Sequence, residues 1–204
     1  MTKRVQPSLF SSWQKDRFAF GGSSLGRSHA RGKRPFSKKL AVHVVLRSSQ
    51  AKGTHSLLKH GRKVETIIFD EAAQRSIRLH GAANAGNHLH LLVQAPSRDH
   101  LSAFLRAVTG RMSMIVTKAR KGSPLPKNEN GSTSFWDQRP FTRLVSLGRD
   151  FTNVLTYISL NSTEMAGFSR GQARAMFREI RERLRRGELA RSPHLAAAGF
   201  VSIY

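Results

Sequence analysis

The order of segments predicts an α+β fold, an antiparallel sheet with helices packed on it. Three observations carry that reading: a β-branched run from Leu40 to Leu46, an alternating run from His88 to Val93 behind a glycine-rich turn, and apolar residues at helical spacing between and after them. At 204 residues the chain has room for one sizeable domain with its own core, plus tails.

The run from Leu40 to Leu46 is rich in β-branched residues and is read as the first, central strand. A connection containing Gly53 leads to a helix over about 61–75, where Val64, Ile67, Ile68 and Ala72 recur at helical spacing. A second strand follows near 76–84. Gly81, Asn84, Gly86 and Asn87 punctuate it and the turn after it, and so short a turn makes an antiparallel hairpin with the strand that opens at His88.

Ser97 or Asp99 caps the next helix, in which Leu101, Phe104, Leu105, Val108, Met112 and Val116 follow i, i+3, i+4, i+7 spacing. Residues 121–131 are a loop by composition, followed by Phe135, Trp136 and a short apolar piece at Leu144 and Val145. Asp150 is read as the cap of a helix whose Phe151, Val154, Leu155 and Ile158 face the sheet. Asn153, Tyr157 and Asn161 lie one turn apart on another stripe of it. The last helix opens at Ser169, where Ser169 and Gln172 form a capping box, and ends near Gly187. Strand, helix, strand, strand, helix, with further helices behind, is an order of ferredoxin-like type.

The formal net charge is +23, so the expected partner is a polyanion, with nucleic acid ahead of an anionic membrane surface. Residues 1–38 carry many cations against the single acid Asp16 and are read as a mobile basic arm. Its Trp13, Phe18 and Phe20 suit either stacking on bases or docking on the chain's own domain. Arg170, Arg174, Arg178, Arg181 and Arg185 run down one side of the last helix, either tracking a phosphate backbone or forming a solvated face. Few acids match them beyond Glu179 and Glu182, which favours the first reading.

The chain has no cysteine, which excludes disulfides, thiolate metal sites and cysteine nucleophiles, so any metal site uses nitrogen and oxygen. No apolar run suits a signal peptide or reaches the roughly 20 residues of a membrane span, and the expected location is the cytoplasm, at the nucleoid.

In a strand, His88 and His90 share one face while Leu89, Leu91 and Val93 anchor the other, so two imidazoles converge on one point. Neutral imidazole is a common ligand of divalent metals, although a pair of this kind also occurs on an ordinary exposed strand face. Tyr157 is suited to attack a phosphodiester beside a metal, and the amide oxygen of Asn161, one turn on, is a candidate third ligand. His43, His55, His60, His80 and His100 have no paired geometry and read as surface or core histidines.

The run from Asn87 to Val93, the helix after it, the Phe135–Trp136 segment and the run from Tyr157 to Asn161 resemble, in order and spacing, the REP-associated tyrosine transposases of the single-tyrosine HUH class. The resemblance covers roughly residues 40–168 and implies the HUH nuclease fold. It further implies that His88, His90 and Asn161 hold one divalent metal, Mg²⁺ or Mn²⁺, and that Tyr157 attacks single-stranded or hairpin DNA to leave a 5′-phosphotyrosine link and a free 3′-hydroxyl. Trp136, Arg106, Arg111, Arg139 and Arg143 are candidate DNA contacts, together with Arg170, Arg174 and Arg178; for Trp136 a core role is preferred. In this class the tyrosine sometimes comes from a partner chain, which makes a homodimer one arrangement. Where the family often continues with Asn-Pro-Val-Arg-Ala-Gly, the segment from Asn161 to Gly167 lacks the proline and the arginine and is one residue longer.

The chain is accordingly divided into a basic arm (1–38), a catalytic domain (39–168), a basic helix (169–187) and a tail (188–204). The alternative is a domesticated, non-catalytic protein that binds hairpin DNA or RNA by charge.

Overall fold

A computed structural model of the chain describes residues 18–22, 33–119, 127, 131 and 133–186. Trp13, most of the basic arm, nearly all of the loop at 121–131 and the tail at 188–204 lie outside the described residues. Strand β1 (Ala19–Phe20) is followed by β2 (Ala41–Arg47), helix α1 (Gly61–Gln74), β3 (Arg78–Asn84), β4 (His88–Gln94) and α2 (Arg98–Thr117). Strand β5 (Phe141–Val145), α3 (Arg149–Met165) and α4 (Arg170–Arg185) complete the order.

The strands form one sheet in the order β1-β5-β2-β4-β3, and every neighbouring pair is antiparallel. Within it, β2-α1-β3-β4-α2-β5 is the ferredoxin-like arrangement expected from the sequence, with β2 and β4 inside.

Period-two alternation sorts the side chains of these central strands into two cores. Val42, Val44 and Leu46 of β2 and Leu89, Leu91 and Val93 of β4 pack under α1 and α2 against Ile67, Leu101, Phe104 and Met112. Each such side chain contributes about 1.5–3 kcal/mol by leaving water. On the opposite face, Ala41, Leu92 and Val145 pack with Val154 and Ile158 of α3. The residues one step out of phase with the larger core, His43, His88 and His90, therefore belong to the α3 face.

Two glycines let α3 and the hairpin take their places. A Cβ on Gly81 would lie 3.1 Å from Leu155 Cδ1 and 3.6 Å from Ile158, so its absence lets α3 sit close on β3. Gly86, at φ +85°, turns the chain between β3 and β4 in a conformation side chains disfavour. A bulge between Leu79 and Gly81 leaves His80 out of register with β4.

Capping follows the sequence at two helices. Ser97 accepts the His100 N–H at the start of α2, and Ser169 and Gln172 exchange the two bonds of a capping box at α4. Asp150 is not the cap of α3. Gly148 holds that position, and Asp150 stands in the first turn, where it accepts the Ser146 N–H at 3.0 Å and binds Arg143.

Strand β1 was not expected, because two residues carry no periodic signal; it pairs Ala19 with Arg143 and Phe20 with Thr142 on the sheet edge. Of the two roles open for the arm's aromatics, Phe20 shows docking on the chain's own sheet: the Arg34 guanidinium lies 4.7 Å from its ring centre and donates to the Pro140 carbonyl at 3.2 Å. Burial, with Arg139 nearby, lowers the Arg34 pKa to about 10. Strand β5 begins at Phe141, ahead of the expected Leu144. Among the described residues no helix is long and apolar enough to cross a membrane.

Candidate active site

Strand β4 aims His88 and His90 at the α3 face, and the rings meet edge to face with centroids 4.9 Å apart. His90 is fully buried and His88 half-buried. Helix α3 runs along β3, from the contact of Phe151 with His80 to that of Tyr157 with His90, whose ring centroids are 5.2 Å apart at an interplanar angle of 85°. The two histidines and the phenol are thus brought together within one chain.

Behind His90 stands His43 of β2. Because Val45 pairs with His90 and His43 with Leu92, His43 is the diagonal neighbour of His90 on the same face. Its Nε2 lies 3.2 Å from His90 Nδ1, and the rings stack with centroids 5.4 Å apart. The expectation that His43 lacks paired geometry is therefore corrected. Spacing along one strand carries no information about a diagonal partner on another. The remaining histidines fit the surface or core reading: His80 is half-buried within reach of Gln94 Oε1, His60 lies 3.0 Å from the Thr54 carbonyl, His100 is exposed beside Ser97, and His55 is half-buried.

The surroundings of all three rings favour the neutral form, the one that ligates metals. Burial, then Arg143, against an opposing pull from Asp150, lowers the His43 pKa to about 3. Burial, then His43 and His88, holds His90 well below the usual imidazole range, and burial, then Arg47, lowers His88.

Each ring of the β4 pair has its Nδ1 engaged. His88 Nδ1 donates to Asn87 Oδ1 at 2.7 Å and His90 Nδ1 faces His43, so Nε2 is the nitrogen with which each ring would meet an ion. Among the described residues no three His, Cys, Asp or Glu side chains cluster to hold a metal, so a third donor taken from these residues would be of another type. Asn161, half-buried one turn beyond Tyr157, has a buried Nδ2 with no hydrogen bond among the described residues, and turning its amide over would put the oxygen in that place. This donor set of two imidazoles and an amide fits a divalent cation.

The predicted DNA contacts divide. Arg143 is corrected: it is 7 % exposed, buried beside His43, and ion-paired to Asp150. Arg111 is partly exposed and ion-paired to Asp70 and Glu71 on the helical layer across the sheet from Tyr157. Trp136 is a core residue, 9 % exposed, its Nε1 donating to the Thr109 carbonyl at 2.9 Å, as the preferred reading had it. Arg106 and Arg139 are exposed, Arg106 again on α2. Arg170 pairs with Glu164 at 3.4 Å, while Arg174 and Arg178 are exposed on α4.

Sequence reasoning also missed Arg47, the register partner of His88. Its side chain is 69 % exposed and reaches Asp137 at 3.6 Å, which in turn accepts the N–H and hydroxyl of Ser49. A cation beside two imidazoles is a signal only once β2 and β4 are paired.

A mixed sheet-and-helix domain whose central strand presents two histidines to a tyrosine of a packed helix has the architecture of an HUH nuclease. A family model described as "Transposase IS200 like" matches residues 36–161, more than half of the chain, and the chain belongs to that family. No curated protein matches it. Among solved structures, it is similar to one titled "Structure of the REP associates tyrosine transposase bound to a REP hairpin", at 12 % identity and TM-score 0.52, over 67 % of this chain and 74 % of that one. A putative transposase from Deinococcus radiodurans R1 matches at 17 % identity and TM-score 0.38, over 64 % of this chain and 97 % of that one. The resemblance to REP-associated tyrosine transposases, and the fold it implied, are borne out.

Proposed function

We propose that this chain cuts and rejoins single-stranded or hairpin DNA by transesterification, with Tyr157 as nucleophile. The observation that carries the reading is the contact of the Tyr157 ring with His90, which is itself paired to His88 in the same chain. Membership of a transposase family supports the reaction class, and the hairpin bound to the structurally similar protein supports the substrate class.

His88 and His90, through Nε2, and Asn161 would hold a divalent cation, Mg²⁺ or Mn²⁺. Such an ion supplies charge neutralisation at the non-bridging phosphate oxygens. The chain's own residues do the rest. Helix α3 aims the phenol at the site, and the sheet beneath keeps the imidazoles at fixed separation. Tyr157 gives up its phenolic proton and attacks phosphorus; the bond to the 3′-oxygen breaks, and that oxygen leaves as a hydroxyl. The 5′-phosphate stays on the tyrosine, so a second 3′-hydroxyl can reverse the step and join strands without a nucleotide cofactor. Arg47 at the rim, and Arg174 and Arg178 on α4, are the exposed cations suited to the flanking phosphates.

The test is incubation with hairpin-bearing single-stranded oligonucleotides and Mn²⁺, followed by denaturing electrophoresis. An SDS-resistant adduct that is absent in Tyr157→Phe is the expected result. Cleavage that survives Tyr157→Phe but not His88→Ala would identify a water-using nuclease instead, and binding with no cleavage across varied hairpins would identify a domesticated binder.

A further inference from the structure

We propose that His43 is a positioning residue that fixes the tautomer of His90. Its Nε2 accepts the Nδ1 proton of His90, which leaves the lone pair of His90 on Nε2. The inference rests on the reading above that His90 Nε2 is a metal-ligating atom, and it goes beyond that reading by assigning work to a residue outside the ligand set.

Three observations establish the bond between the two rings, and its direction follows from the metal reading. The two nitrogens are 3.2 Å apart, a hydrogen bond that one ring donates and the other accepts. Both residues have 0 % exposure, so water does not compete for the bond. The rings stack at 19°, and the register of β2 between β4 and β5, with His43 opposite Leu92 and Arg143, leaves little freedom to re-aim either one.

A neutral imidazole carries one proton on two nitrogens. If His43 donated to His90 Nδ1, the proton of His90 would sit on Nε2, and that nitrogen would have no lone pair to give. Only the opposite direction of the bond makes His90 a ligand. Metal-binding histidines commonly donate their second N–H to a carboxylate or a carbonyl, and here a buried imidazole stands in that place. An apolar core residue of similar size would fill the same space, yet it would offer the Nδ1 proton of His90 no acceptor.

The experiment uses the metal-free full-length chain with ¹⁵N-labelled histidine, since long-range ¹H–¹⁵N correlation reads the tautomer of each ring. In the native chain His90 is expected as the Nδ1–H form. In His43→Met, which fills the volume without an acceptor, the Nε2–H form should appear. His43→Gln, whose Oε1 can accept the proton, should restore the native form, and it serves alone if the methionine variant does not fold. A native His90 in the Nε2–H form would overturn the proposal, as would a tautomer unchanged in His43→Met or lost in His43→Gln. Mn²⁺ titration by electron paramagnetic resonance is the second readout. The Kd should rise about 10-fold in His43→Met, at the lower end of what outer partners of metal ligands contribute, and less in His43→Gln. A native chain that holds the Nδ1–H form but binds no Mn²⁺ keeps the His43–His90 relation and overturns the metal reading alone.

Discussion

Arg143 of β5 and Asp150 of α3 face each other fork to fork: Nη1 donates to Oδ2 and Nη2 to Oδ1, each at 2.9 Å. The pair ties the sheet beside His43 to the first turn of the helix that carries Tyr157. Its two ends differ, with side-chain exposures of 8 % for Arg143 and 34 % for Asp150. Asp150→Asn leaves a buried guanidinium without its counter-charge. Breaking a fully buried pair costs about 3–5 kcal/mol, and solvent around Asp150 reduces that to about 2 kcal/mol. Urea denaturation at pH 7 measures the loss, and DNA-adduct formation by Tyr157 should slow in parallel because the start of α3 is loosened.

Acid should destabilise the metal-free protein well before its carboxylates titrate. The folded His43 pKa, about 3, is depressed below that of a free imidazole, near 6.5. The unfolded chain therefore takes up a proton that the folded chain refuses. Stability is fully present above about pH 6.5 and falls as the pH drops toward 3, by up to about 1.4 kcal/mol per pH unit for that ring. His90 acts in the same direction. Asp150 has a separate window. Burial works to raise its pKa, but the bonds from Arg143 and the Ser146 amide hold it below the usual carboxylate value, so its contribution goes only below about pH 4. Urea midpoints at pH 7, 6 and 5 in EDTA should fall steadily, and the slope should be shallower in His43→Gln. A flat profile across this range would contradict the neutral, buried pair.

Why His88, His90 and Tyr157 were legible in the sequence while His43 and Arg143 were not is a matter of which periodicity carries the information. Alternation along β4 places both histidines on one face, and helical spacing places Tyr157 one turn before Asn161 on a stripe beside the apolar one; that this stripe reaches His90 is seen only in the fold. Each pattern is a property of a single element. His43 meets His90 only through the register that sets Val45 opposite it, and Arg143 is buried only because Asp150 lies within reach after the chain turns into α3. Sequence-local patterns do not encode either relation. Counting arginines by type therefore mistook a structural cation for a DNA contact, and β1, with two residues, had no pattern to read.

Gly81 lets α3, the helix that carries Tyr157, lie close on β3. A methyl group there would stand 3.1 Å from Leu155 Cδ1, the end of a flexible side chain, so Gly81→Ala should cost no more than about 1 kcal/mol. Gly81→Val adds bulk that Leu155 cannot clear alone, and α3 must move outward, at a cost of about 1–3 kcal/mol. Thermal melts measure the stability. The rate of adduct formation measures the geometry and should fall more in the valine variant than the loss of folded protein explains. Equal rates per folded molecule would show that the α3–β3 distance does not govern the site.

Trp136 and the arginines of α4 make opposite predictions about DNA. Trp136→Phe removes the bond to the Thr109 carbonyl within the core and should destabilise the fold by about 1 kcal/mol, with affinity for a hairpin oligonucleotide unchanged. Arg174→Ala and Arg178→Ala remove exposed charges that make no core contact, so stability should stay within about 0.5 kcal/mol. If these side chains lie along the phosphate backbone, each substitution lowers affinity for all sequences alike. Each also reduces the slope of log Kobs against log salt by about 0.7 for single-stranded DNA. Fluorescence anisotropy across a salt series measures both quantities. An unchanged slope in the double variant would make the α4 stripe a solvated face, and would leave Arg47 and the exposed Arg139 as candidates for the phosphates among the described residues.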